Sequence, residues 1–132
     1  MNTLRMAATA AFMIIGSSAA FAATCLETYT AKVEPIVSKK CVACHNDASS
    51  AAGLSFQKGS GYDMLVNVAS TEAPDMMRIA PGSTELSYVM HKLLNTHESV
   101  GGSGTKMPPA GSLKDSEIEK ITAWVDSCEV AQ

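Results

Sequence analysis

Aromatic residues are scarce in this chain: one Trp, three Tyr and three Phe among 132 residues. A sequence this poor in large side chains builds only a modest core from its own atoms. An excess of basic charge is missing as well. Lys and Arg number 10 against 13 Asp and Glu, a formal net charge of −3. That balance argues against nucleic acid or an anionic membrane as the main partner. There is no strand-like alternation, no internal repeat and no phosphate-binding glycine loop. No nucleophile with an attendant base stands out, so the sequence offers no argument for an enzyme.

Long apolar runs are confined to the N-terminus. Arg5 forms a short basic region, Ala7 to Ala20 is apolar and small, and Ala20-Phe21-Ala22 fits an A-x-A cleavage site. This is the pattern of a secretory signal peptide. The run is short and Ala-rich for a membrane span, which disfavours the alternative of an uncleaved anchor. The expected arrangement is a signal peptide over 1–22 and one domain over 23–132. The expected location is periplasmic, or otherwise outside the cytoplasm.

Against these absences stands one dense motif. Cys41-Val42-Ala43-Cys44-His45 reads C-x-x-C-H, the attachment signature of a c-type haem. The spacing follows from the chemistry. Two thiols add to the two vinyl groups of one macrocycle, and the next residue supplies an imidazole to the iron. One helical turn presents both sulfurs and the ring to the same side. C-x-x-C also occurs in zinc sites and thioredoxin-like redox sites. A zinc site needs two further ligands, and a thioredoxin-like site needs a βαβ pattern that is not visible here. The motif therefore predicts one covalent haem, held by Cys41 and Cys44 with His45 as proximal iron ligand.

Cys25 and Cys128 remain, near the two ends of the exported chain. Spare cysteines in an oxidising compartment pair, so a Cys25–Cys128 disulfide is expected. The alternative is two free thiols.

The rest reads as an all-α protein with long loops. From Cys25 to Lys40, Tyr29, Val33, Ile36 and Val37 form a helical stripe that Pro35 interrupts. Asn46 to Ser60 reads as an irregular loop. Tyr62 to Ala69 is a short helix candidate. Ser83 is a candidate cap for a helix with Leu86, Val89, Met90, Leu93 and Leu94 on its apolar face. Thr96 to Lys106 carries Gly101, Gly102 and Gly104 and reads as a flexible loop. The last helix spans roughly Asp115 to Cys128, with Ile118, Ile121, Thr122 and Val125 inward and Trp124 alongside.

His45 fills one axial position, and Met107 is the candidate for the other. It stands in Lys106-Met107-Pro108-Pro109, where two prolines stiffen the backbone beside a soft, neutral sulfur ligand. His/Met ligation raises the reduction potential. Among the other methionines, Met90 reads as core. His91 reads as solvated. His97 is the alternative ligand, reaching the iron if its loop folds inward.

These pieces together resemble the monohaem c-type cytochromes of the class I kind, and are most similar to the Planctomycete-type cytochrome c domain. The resemblance rests on Pro35-Ile36-Val37, Cys41 to His45, Gly53-Leu54-Ser55-Phe56, Ile79-Ala80-Pro81-Gly82, Met107-Pro108-Pro109 and Glu117-Ile118 to Trp124-Val125. It implies a small class I-like fold of about three to five helices around one haem c. It implies His45 and Met107 as axial ligands, and electron transfer as the activity. Lys114 stands where the family usually has a capping Ser or Thr, and the Cys25/Cys128 pair is not part of its common pattern.

The expected function is thus an exported electron carrier, or the small cytochrome subunit of a redox complex. Its partner would be another redox protein: a cytochrome, oxidase, reductase or dehydrogenase. Lys39, Lys40 and Lys106 flank the two ligand motifs and suit an acidic docking face. The alternatives are a peroxidase-like enzyme or gas sensor with a displaceable sixth ligand, and a domain that uses haem only for stability.

Overall fold

The computed structural model describes residues 25–129, so the signal-peptide reading over 1–22 lies outside the described residues. The chain is mostly helical with one small two-stranded sheet. Residues 25–28 are helical and run into a π-helical turn, Tyr29–Val33. Helix α1, Glu34–Lys40, follows directly. Pro35 explains the change of winding. It has no N–H to give, and its ring would clash with the carbonyl four residues back. The ladder ahead of it widens instead, and the Glu34 N–H reaches Tyr29 O. The expected kinked segment is therefore one helical rod with a π turn at the proline.

The chain leaves α1 through a tight turn, with Cys41 and Val42 both donating to Val37 O. Strands β1 (His45–Asn46) and β2 (Ser49–Ser50) then pair antiparallel, His45 opposite Ser50. The sequence reading of an irregular loop from Asn46 is corrected here. Two-residue strands are too short to show alternation, and a side chain organises them. Asn46 Oδ1 accepts from Ala48 N and Ser49 N, while its Nδ2 donates to Val42 O at 2.9 Å.

Helix α2 covers Gly61–Leu65, shorter than the expected Tyr62 to Ala69. Beyond it residues 66–69 run alongside 77–80 in isolated bridges. Helix α3 is Tyr88–Leu94. Ser83 does not cap it. Ser87 precedes it, fully buried, and its hydroxyl donates to Ser83 O and accepts from Ala80 N. Asn95 ends α3 in the left-handed region at φ 61°. The helix is thus only two turns long, and Leu86 and Leu94 lie exposed at its ends rather than on its buried face.

Helix α4, Asp115–Ser127, packs on the first helical segment. It starts behind Lys114, whose N–H donates to the Glu117 carboxylate at 2.8 Å. This is half of a capping box, and it replaces the missing Ser or Thr. Trp124, 1 % exposed, donates from Nε1 to Cys25 O and stacks on Tyr29 with ring centroids 5.2 Å apart. Cys25 and Cys128 are bonded, with Cα atoms 4.8 Å apart across a separation of 103 residues. Closing so long a loop restricts the unfolded chain strongly. We expect Cys25→Ser/Cys128→Ser to lose about 2–5 kcal/mol, read from urea unfolding; an unchanged midpoint would contradict it. Among the described residues no helix is long and apolar enough to cross a membrane.

Candidate functional site

The elements converge on a cavity of about 230 Å³. Its walls are mostly apolar and come from every part of the described chain. The π turn and α1 contribute Val33, Ile36 and Val37, and α4 contributes Ile121 and Trp124. Val89 and Leu93 of α3 complete that greasy side.

Cys41, Cys44 and His45 form one wall, and Met107, Pro108 and Pro109 belong to the same lining. Both motif cysteines are free thiols. Burial, and then the neighbouring Cys44, push the Cys41 thiol up to about 11. His45 is largely buried and packs against Phe56, ring centroids 5.3 Å apart. Its Nδ1 lies 2.9 Å from Ala51 O. A carbonyl only accepts, so Nδ1 is the donor, and in the neutral ring Nε2 keeps its lone pair. This is the arrangement in which a metal-binding imidazole is oriented by its other nitrogen. The chain of causes is local. Asn46 tightens the β1–β2 turn, the turn places Ala51, and Ala51 O aims the ring.

Zinc ligation by the same motif lacks partners. Cys25 and Cys128 are bonded to each other. Among the described residues no group of three or more His, Cys, Asp and Glu side chains is arranged to hold a metal ion by itself.

His97, the alternative ligand, does not line the cavity. It sits buried in a short 3-10 turn, His97–Val100, with Nε2 3.0 Å from Gly104 O. Its loop does fold inward, with Nε2 engaged by the loop's own backbone and Nδ1 buried without a hydrogen-bond partner. His91 is likewise occupied, Nδ1 on Thr96 Oγ1 and Nε2 on Glu85 O. Met90 is core, 2 % exposed.

Sequence reasoning missed the polar end of the cavity, where Glu72, Arg78 and Lys92 join the lining. Lys92, 6 % exposed, pairs with Glu72 at 2.9 Å, and Tyr88 Oη donates to the same carboxylate at 2.8 Å. Arg78 donates from Nη1 to Met64 O at 2.9 Å. Burial lowers the Arg78 pKa, although a guanidinium stays charged in any case. No spacing marks these residues in the sequence, because surface lysines and arginines look the same.

Glu72 is held below the ordinary carboxylate range. Burial works against its charge, but hydrogen bonds from Lys92 and Tyr88 and the lysine's charge outweigh that. A carboxylate with a lowered folded pKa stabilises the fold above its unfolded pKa, about 4.3, and loses that contribution as pH falls through the folded value. The advantage of the parent over Glu72→Gln is therefore expected to be full at neutral pH and to shrink below about pH 4. Urea midpoints of both proteins across that range check it. An advantage that grows on acidification contradicts it.

The fold and the site define a small, mostly helical domain closed by a disulfide around an apolar cavity with a C-x-x-C-H wall. No family model, curated protein or solved structure matches this chain.

Proposed function

We propose that this chain is a monohaem c-type cytochrome, exported and used for electron transfer. One observation carries the reading. Cys41, Cys44, His45 and Met107 line a single apolar cavity, although Met107 lies far along the chain from the motif. The residues suit the group. The thiols are free for two thioether bonds, the imidazole is oriented through Nδ1 with Nε2 left without a protein partner, and the walls are mostly apolar.

Haem c supplies a reversible one-electron couple at iron. The chain would do the rest. Cys41 and Cys44 would tether the macrocycle, His45 and Met107 would fill both axial positions, and the apolar walls would keep water from the iron. With both positions filled, outer-sphere transfer to a redox protein is the natural activity. Cys44 is exposed, so the tethered edge would reach the surface and offer electrons a short path. Lys39 and Lys40 stand exposed beside it and would favour an acidic partner.

The test is direct. The exported protein should carry one covalently added haem by mass and pyridine-haemochrome spectrum. It should titrate reversibly as a single one-electron couple. A purified protein with two alkylatable thiols at Cys41 and Cys44 and no haem would sink the proposal.

A further inference from the structure

The loop before Met107 carries three glycines within four positions, a composition that reads as slack. Its contacts say otherwise. Lys92 Nζ donates to Ser103 O at 2.7 Å and pairs with Glu72 at 2.9 Å. The Lys92 carbonyl accepts from Met107 N at 2.9 Å, so one residue grips the loop at both ends. Between those points His97 Nε2 donates to Gly104 O, and just ahead of them the Gly102 N–H returns to His97 O at 2.8 Å. Gly102 lies so close under Tyr88 that a Cβ there would collide with the ring. Tyr88 in turn donates to Glu72.

We infer that Lys92 is the positioning residue for Met107: anchored by Glu72, it fastens the 101–106 loop so that the Met107 side chain faces the cavity. The inference rests on the reading of Met107 as an iron ligand. Its physical basis is the burial of the ammonium. Lys92 is 6 % exposed and lies 6.0 Å from the Tyr88 ring centroid. A buried ammonium needs its hydrogen-bond partners. Swinging the loop away would remove Ser103 O from it and Lys92 O from Met107 N. Displacement of the sulfur is thereby coupled to the loss of one of the buried ammonium's two partners.

The experiment uses the full haem-loaded protein. Lys92→Met keeps most of the apolar stem and removes the ammonium. Tyr88→Phe and Glu72→Gln weaken the anchor more gently and cover the case in which Lys92→Met does not fold. Lys120→Met, on the exposed side of α4, is the control. Three readouts are compared: amide hydrogen exchange of residues 102–107, the sulfur-to-iron charge-transfer band of the ferric protein, and the rate of carbon monoxide binding to the reduced protein. In Lys92→Met we expect exchange and carbon monoxide binding to rise about tenfold or more, since a hydrogen bond to a charged group is lost. The band should weaken, with haem content unchanged. Tyr88→Phe and Glu72→Gln should move the same way by less. Unchanged exchange and an unchanged band in the folded variants would overturn the inference. If the parent itself lacks the band, Met107 is not the ligand and the reading beneath fails; the exchange data then still decide whether Lys92 fastens the loop.

Discussion

Met107→Ala is expected to abolish the sulfur-to-iron charge-transfer band, lower the reduction potential and open the reduced iron to carbon monoxide. A thioether favours the ferrous state, so its loss moves the couple downward. The fall should be on the order of a hundred millivolts or more, within the ~0.8 V that axial ligands span. Apart from His45 and Met107, no described histidine or methionine lines the cavity. His97 is buried elsewhere with its Nε2 on Gly104 O, and the other described methionines do not line the cavity. If Met107 holds the iron as proposed, its removal would therefore leave the iron accessible to small ligands. Overall stability should change less than the spectrum, because Met107 is only partly buried. A band that survives in Met107→Ala excludes this residue as the ligand. Fast carbon monoxide binding by the parent would favour the displaceable-ligand alternative.

The second large effect is on folding itself. Cys41→Ser/Cys44→Ser should leave a protein that unfolds at much lower urea, with weak near-ultraviolet signals and exposed apolar surface. The reason is the cavity. When the cavity of about 230 Å³ is empty, its apolar walls lack packing partners. Small domains have only about 5–15 kcal/mol in total. On the proposed reading, a chain with so few aromatics would gain much of its core from the bound haem, and the tether would keep that group in place. The Cys25–Cys128 bridge should hold the two chain ends together even then. Denaturant curves and dye binding on parent and variant measure the effect. Equal stability of the two proteins would mean that the cavity is not filled by a tethered group.

Both predictions depend on features of unequal legibility. The C-x-x-C-H wall is local. Its three side chains sit on one turn, and their relation follows from helical geometry over five residues of sequence. Helix α4 was legible for the same reason, since a periodic stripe from Ile118 to Val125 repeats one preference over several turns. Pro35 announced a break, although the π turn it produces was not foreseeable in kind. The short elements were illegible. The strand pair at His45 depends on one amide side chain, and α3 is cut to Tyr88–Leu94 by Asn95 and by a buried Ser87.

By itself, then, the sequence determined the chemistry of one wall: two thiols and an imidazole presented together, in a chain poor in aromatics and rich in helical periodicity. Only the tertiary structure decided what stands across from them. The placement of Met107 in the same cavity and the burial of Lys92 against Glu72 join residues distant in sequence. Such contacts are selected by packing and by the need to satisfy buried polar groups. Neither leaves a spacing that can be read along the chain.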